Sequence, residues 1–518
     1  MTRTRRWPGA VAASALIAAA LTPAQAAPPA GDQGAAQLAA LLEAIGTGDQ
    51  AAYERYALAN YSPAALKAYS AEDWGSSLAR IYLDTGGLAL DRVVETKPGK
   101  VNALGHSRLT GLSYCLSLDR SKADGRDVID DLNTRALFPA GPNLKPPTPA
   151  ELTGATERLA AAFDSKGHMS GVVLLAKDDR VFFRRAYGKA SLAYDVPMTL
   201  DTRLSTASIG KSFTAVAIAQ LIDAGKLSFD DTVGKVLPDY PDATVREKVT
   251  IRQLLTHTSG LGDHYDHPKW PILRARITTV GGYMDLVKDR PLASQPGEKY
   301  EYSNAGYVLL GAIVEKLSGQ DFYDYVRDQI FIPAGMTNSF YPIADAEEPR
   351  MATPLTEFRN RGDTGYVFKL GRPRTSILEN AARGGPQGGA SVTGDDLMAF
   401  DIAFHNAKLT SPEMVKLMTT PSGPSVSGRR GVIANERPGL GMQVISLNGH
   451  TKLGHAGGDF GIISFAYHYP DTGYTVAVLT NRDRPGRVLN AMLDGLITRQ
   501  TLRGAEPPRQ DCSDPPAP

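Results

Sequence analysis

Cysteine is nearly absent from this chain of 518 residues. Only Cys115 and Cys512 occur, too far apart to act as the clustered ligands of a zinc or iron–sulfur site. Charge of one sign is lacking too: 56 basic and 55 acidic side chains leave a formal net charge of +1, with no basic footprint for nucleic acid. Long apolar runs are missing. One short run lies between residues 10 and 21, and no later segment is long and apolar enough to anchor the chain in a membrane. No internal repeat is present, which excludes solenoids and propellers.

What is there reads as an exported, multi-domain globular protein. Residues 1–6 are basic, residues 10–21 are apolar, and Ala24-Gln25-Ala26 is a small-x-small cleavage site, so residues 1–26 are expected to be a signal peptide. Its removal takes three arginines and no acid, turning the formal charge from +1 to −2. A periplasmic or extracellular location follows. Export permits a disulfide between Cys115 and Cys512, while one buried thiol and one loose thiol fit the spacing equally well.

Residues 32–136 are expected to form a small α+β accessory domain. Leu38, Leu41, Leu42 and Ile45 recur at helical spacing, Ser70 and Asp73 are placed as a capping pair, and strand patterns follow at 88–96, 101–108 and 109–118. His106, on one of these strands, reads as a surface or core histidine. The proline-rich stretch 137–150 predicts an extended linker. Residues 151–501 form the second domain, and 502–518 a tail held at most through Cys512. Within 151–501 a helix at 152–163 and a hairpin turning at Lys177-Asp178-Asp179 come first, then a mainly helical stretch from 229 to 383. A helix at 395–404, strands at 440–447, 461–469 and 474–481, and a helix at 488–498 close it. Strands at both ends predict a sheet built from the two ends of the domain, with a helical part inserted between them.

Ser208-Ile209-Gly210-Lys211 opens an apolar helix that continues through Phe213, Val216, Ile218 and Leu221. Amide groups at a helix start lack intrahelical partners and carry partial positive charge, which favours a hydroxyl that ionises there. Lys211 lies one turn on, on the same face, within reach of that hydroxyl. A serine nucleophile needs such a base. On its own the tetrapeptide is equally an N-capping serine and a solvated lysine.

Two further motifs follow in order, Tyr302-Ser303-Asn304 and His455-Ala456-Gly457. With Ser208-x-x-Lys211 they resemble the Ser-x-x-Lys, Tyr-x-Asn and Lys/His-x-Gly motifs of the serine β-lactamase and penicillin-binding superfamily. Leu254-Leu255-Thr256-His257-Thr258-Ser259-Gly260 and Pro296-Gly297 are similar to its class C β-lactamase and family VIII esterase branch. The resemblance covers about residues 151–501. It implies an α/β fold of the β-lactamase/transpeptidase type, an antiparallel sheet flanked by helices with an all-helical lobe. It also implies an acyl-enzyme on Ser208, with Lys211 or Tyr302 as base, and Asn304 bonded to Lys211 and to substrate. The oxyanion donors would be the amides of Ser208 and Gly458. His455 would stand near the Tyr302 hydroxyl, and Gly457 and Gly458 would let substrate lie against their strand.

His455-Ala456-Gly457 departs from the pattern by lacking a hydroxyl at its middle position, where the family binds a substrate carboxylate. An ester, an amide or a short peptide, D-residues included, is therefore favoured over a β-lactam or a D,D-peptide as substrate, and a non-catalytic sensor is the reading from another class. No cofactor, metal, nucleic acid or membrane anchor is expected; homo-oligomerisation is left open. Asp263, His264, Asp266 and His267 match no zinc spacing and read as a loop over the site, His257 as a packing residue, and Gly384-Gly385 and Gly388-Gly389 as lacking the features of a phosphate loop.

Overall fold

The computed structural model describes residues 32–344, 348, 350–361, 365–426, 435–502, 505 and 512. The expected signal peptide and most of the expected tail lie outside the described residues.

The first unit packs four helices on a four-stranded antiparallel meander. Helix α1 (Gln33–Gly46) is capped by the Asp32 carboxylate and buries Leu38, Leu41, Leu42 and Ile45 along one face. Helices α2 (Gln50–Asn60) and α3 (Pro63–Ala68) lead into α4 (Ala71–Thr85). A Ser70–Asp73 capping box starts α4, and Gly86 in the left-handed conformation ends it. The strands are β1 (Leu88–Lys97), β2 (Lys100–Ser107), β3 (Ser113–Ala123) and β4 (Arg126–Ala136). Two of these differ from the sequence reading. β3 begins four residues later than expected, and β4 is absent from the sequence reading, because Arg126-Asp127-Val128-Ile129-Asp130-Asp131-Leu132 shows no two-residue alternation and the strand pairs through an irregularity opposite Asp119 and Arg120. Asp124 and Gly125, both at positive φ, make the two-residue turn between them.

Helix α5 (Pro149–Asp164) starts within the segment read as linker, because Thr148 and Glu151 form a capping box and Pro149 suits the first helical turn. The preceding stretch is fastened down, with the Tyr474 hydroxyl donating to the Pro147 carbonyl at 2.6 Å. Strands β5 (Gly171–Lys177) and β6 (Arg180–Tyr187) form the expected hairpin. The other principal elements are α6 (Gly210–Asp223), α7 (Asn304–Ser318), α8 (Gly394–His405), β7 (Asn435–Pro438), β8 (Gln443–Leu447), β9 (His450–Asp459), β10 (Ile462–Tyr469), β11 (Tyr474–Thr480) and α9 (Pro485–Ile497).

Seven strands join in the order β7-β8-β9-β10-β11-β5-β6. Every adjacent pair is antiparallel. β11 pairs with β5, so the two ends of the domain meet in mid-sheet and both strands are almost wholly apolar, being covered on both faces. Helices α5 and α9 cover one face. The other carries α6, α7, α8 and the helical lobe. This is the α/β fold of β-lactamases and transpeptidases with a small α+β unit ahead of it.

The helical stretch expected to reach residue 383 ends earlier. Beyond α-helical residues 332–334 and up to residue 383 the described chain makes short strands, among them a hairpin of Phe358–Asn360 with Tyr366–Phe368, and one 3-10 turn, Ile377–Glu379. That hairpin reaches into the accessory unit. Phe368 is fully buried in its core, the Phe368 amide donates to Ser76 Oγ at 3.0 Å, and Lys369 pairs with Glu72 at 2.5 Å. An Asp84–Arg484 ion pair and a Cys115–Cys512 disulfide tie the units together elsewhere.

Truncating Phe368→Ala removes a core side chain from a unit to which it is not connected in sequence. The expected destabilisation is about 3–5 kcal/mol, read by chemical denaturation as early loss of the accessory unit; a change below about 1 kcal/mol would mean that the hairpin does not hold it.

Candidate active site

Residues 204–205 pair with 391–392 as a two-stranded ladder, and the chain then tightens into a 3-10 turn, Ala207–Ile209, before α6 begins at Gly210. Ser208 is thus in the tight turn ahead of the helix and not its first residue. Ala207 holds φ +43°, a conformation that costs a non-glycine residue roughly 1–2 kcal/mol and is held by a bond from the Gly389 amide to its carbonyl at 3.0 Å. Gly388 is pressed against the same peptide: a Cβ there would lie 2.3 Å from Ala207 O. The glycines at 384–389, which by sequence lack the features of a phosphate loop and resemble the family's glycine pair ahead of the 395 helix, form the floor under the serine.

Lys211, on the first turn of α6, is wholly buried. Its Nζ lies 3.2 Å from Ser208 Oγ, 2.6 Å from Asn304 Oδ1 and 2.7 Å from the Gln387 carbonyl. Three acceptors match the three N–H donors of an ammonium. Burial nevertheless brings its pKa down to about 7, against the opposing pull of the Asp263 carboxylate. Asn304 sits at the start of α7, which Ser303 caps by accepting from the Gly306 amide at 3.0 Å. The Asn304 side-chain amide donates to Asp263 Oδ2 at 2.6 Å, completing a chain Ser208–Lys211–Asn304–Asp263.

Tyr302 presents its ring to Lys211, 4.8 Å from Nζ to centroid, and stacks on His257 at 4.3 Å. His257 Nδ1 accepts from the Ser303 amide at 3.1 Å, so this imidazole orients the Tyr302-Ser303-Asn304 segment from behind. β9 carries the third motif. Its glycines, histidines and lysine weaken the strand signal, and the sequence reading had not delimited it. Alternation along β9 turns His455, Gly457 and Asp459 to the face toward α6, and Ala456 and Gly458 to the opposite face. His455 borders a small space shared with Tyr302, His257 and Tyr307, behind the main cleft. The Ala456 methyl packs with the α5/α9 core. Gly457 abuts the nucleophile turn, where a Cβ would lie 2.2 Å from both Thr206 O and Ser464 Oγ.

Between the sheet and the helical lobe opens a cavity of about 470 Å³ bordered by Ser208, Tyr302, Asn304 and Gly458, with Tyr265, Trp270 and Tyr283 forming an aromatic wall. Six of the seven residues singled out from sequence (Ser208, Lys211, Tyr302, Asn304, Gly457, Gly458) meet at or directly beneath it, and His455 stands behind Tyr302. Asp263 was missed as a site residue. Only its distance from Asn304 in the folded chain reveals the link. Its neighbour His264 is walled in by Tyr265, Trp270 and Tyr283, with its pKa pushed down to about 3 by burial. His267 accepts from the Lys269 amide. Among the described residues no group of three or more metal-ligating side chains converges.

A cleft with a serine at its floor, between an antiparallel sheet and a helical lobe, fits a serine hydrolase. The Beta-lactamase family model matches residues 156–498, and the chain belongs to that family. Among relatives, penicillin-binding protein 4* of Bacillus subtilis (strain 168) is 27% identical over 355 residues, covering 65% of this chain and 73% of the relative. A putative D-alanyl-D-alanine carboxypeptidase of Escherichia coli (strain K12) is 30% identical over 344 residues, covering 60% and 75%. Of solved structures, a penicillin-binding protein from Bacillus halodurans has TM-score 0.56 at 29% identity, over 65% of this chain and 98% of that one. A D-stereospecific amidohydrolase from Streptomyces sp. has TM-score 0.53 at 25%, over 66% and 98%. The hydrolase EstCE1 shares the fold, with TM-score 0.56 at 22%, over 67% and 98%.

Gly457→Ala places a methyl where backbone and hydroxyl already stand. We expect a cost of about 1–3 kcal/mol in thermal or chemical unfolding together with a marked fall in kcat/KM; unchanged values in both would mean that β9 does not pack on the Ser208 turn.

Proposed function

We propose that this protein is an exported serine hydrolase that acylates Ser208 and cleaves an ester, an amide or a short peptide. The observation that carries the proposal is the buried Lys211 amine, 3.2 Å from Ser208 Oγ, with its pKa brought down to about 7. Near neutrality such an amine is neutral in a substantial fraction of molecules and accepts the serine proton as Oγ attacks the carbonyl carbon. The negative charge that develops on the carbonyl oxygen meets the amides of Ser208 and Gly458. Tyr302, over Lys211, then returns a proton to the leaving group and activates the water that releases the acyl group. Asn304 holds Lys211 and contacts the substrate. His455 supports Tyr302 from behind, and Gly457 keeps the strand close enough to serve.

The name of one structural neighbour at 25% identity, a D-stereospecific amidohydrolase, supports amide chemistry. A D,D-carboxypeptidase is the second reading, favoured by the 30% identity to a relative named for that activity. The missing hydroxyl at Ala456, expected from sequence to count against it, does not bear on the choice, because that methyl packs with the α5/α9 core on the face away from the cleft. The Cys115–Cys512 bond supports export, since disulfides persist in oxidising compartments.

Ser208→Ala should abolish both turnover of p-nitrophenyl acetate and labelling by a fluorophosphonate; retained activity overturns the proposal. A long-lived adduct on Ser208 without product, seen by mass spectrometry, would make the protein a sensor. Nitrocefin and a D-alanyl-D-alanine peptide assayed beside the ester separate the two enzymatic readings.

The acid limb of kcat/KM has a fixed sign. Lys211 must lose its proton to act, so the rate should rise with pH through about 7 and level off above it. The Asp263 carboxylate favours the ammonium, so Asp263→Asn should move that limb to lower pH. A limb that stays where it was removes Asp263 from the chain of bonds.

A further inference from the structure

Asp459 is unused by the chemistry above. It is the last residue of β9, one position beyond Gly458, and the two-residue period of the strand turns it to the same face as His455 and Gly457, toward the cleft. It borders the cavity together with Ser208, Gly458 and Asn380. One carboxylate oxygen accepts from the Phe460 amide at 2.7 Å, and the Asn380 side chain stands beside it. No described lysine, arginine or histidine pairs with it. The neighbouring acids are already occupied: Glu379 by Arg274 at 3.6 Å and Arg374 at 2.9 Å, and Asp483 by the amides of Glu357 and Gly461. Burial, with Asp483 and Glu379 nearby, pushes the Asp459 carboxyl up to about 6, as expected where no cation stands opposite it.

A carboxylate partly withdrawn from water and without a cationic partner costs free energy, and Asp459 borders the substrate cavity, from which a cation can reach it. Its position fixes what can pair. Asp459 borders the same cavity as Ser208 and Gly458, so an acyl group on Ser208 shares that space with the carboxylate, while Tyr265, Trp270 and Tyr283 offer an apolar wall.

Resting on the acyl-enzyme reading, we infer that Asp459 is a specificity-determining residue that binds a protonated amine next to the scissile carbonyl, so that the substrates are amides or short peptides with a free α-amino group. The carboxylate makes a charge-assisted hydrogen bond with the ammonium, and an N-acylated analogue offers it no positive charge to pair with.

The test compares kcat/KM for D-phenylalanine p-nitroanilide and its N-acetyl derivative, each also as the L-enantiomer, with p-nitrophenyl acetate alongside. Wild type should favour the free amine by about 10- to 100-fold, the value of one charged hydrogen bond. In Asp459→Asn that ratio should fall toward one, mainly through KM; because both substrates meet the same fold, the ratio is insensitive to general damage. Should Asp459→Asn not fold, Asp459→Ser serves, and the wild-type ratio is a measurement independent of both. A wild-type ratio near one, a preference that survives both substitutions, or cleavage of the ester with neither anilide cleaved overturns the inference while leaving the hydrolase reading intact. Failure to cleave any of the compounds overturns both.

Discussion

A lysine side chain taken wholly out of water is the constraint on which the rest of this structure depends. Removing an ammonium from solvent costs several kcal/mol unless its donors are satisfied. Three separate segments supply the acceptors for Lys211: the turn bearing Ser208, the start of α7 through Asn304, and the Gln387 carbonyl. Each must arrive together with the others. Asn304 is fixed in turn by Asp263 and by the Ser303 cap, and Gln387 by glycines that lie against Ala207 where no side chain fits. The outcome is an amine poised near neutrality beside a hydroxyl, in a cleft with an aromatic wall.

The sheet makes that convergence stable. β5 and β11 come from opposite ends of the domain and pair in its middle, with apolar cores on both sides, so α6 rests on a surface that neither end could form alone. β9 brings the glycine pair onto the nucleophile turn, and the same strand ends in Asp459 at the cleft.

The accessory unit is linked toward this cleft through the paired strands 358–360 and 366–368. Phe368 is part of the accessory core, while Phe358 and Tyr366 pack on Phe460, the residue after Asp459. Aromatic contacts thus run continuously from the small domain to the cavity edge. The ion pairs of Glu72 with Lys369 and of Asp84 with Arg484, and the disulfide at Cys115, hold the unit at several points.

The sequence by itself determined the local features: the capped helices, the Asp178-Asp179 hairpin, the apolar helix behind Ser208 and the three motifs with their order, because spacing and turn chemistry act over a few residues. β4 escaped because its acidic sequence breaks the two-residue alternation that marks a strand, and β9 because its glycines serve the site at the expense of strand propensity. Only the tertiary structure decided that Asp263 belongs with Asn304, that Phe368 belongs to the accessory core, and that Asp459 faces the cavity. Those are contacts between residues tens to hundreds of positions apart, and their partners are chosen by packing of whole elements, which no local pattern encodes.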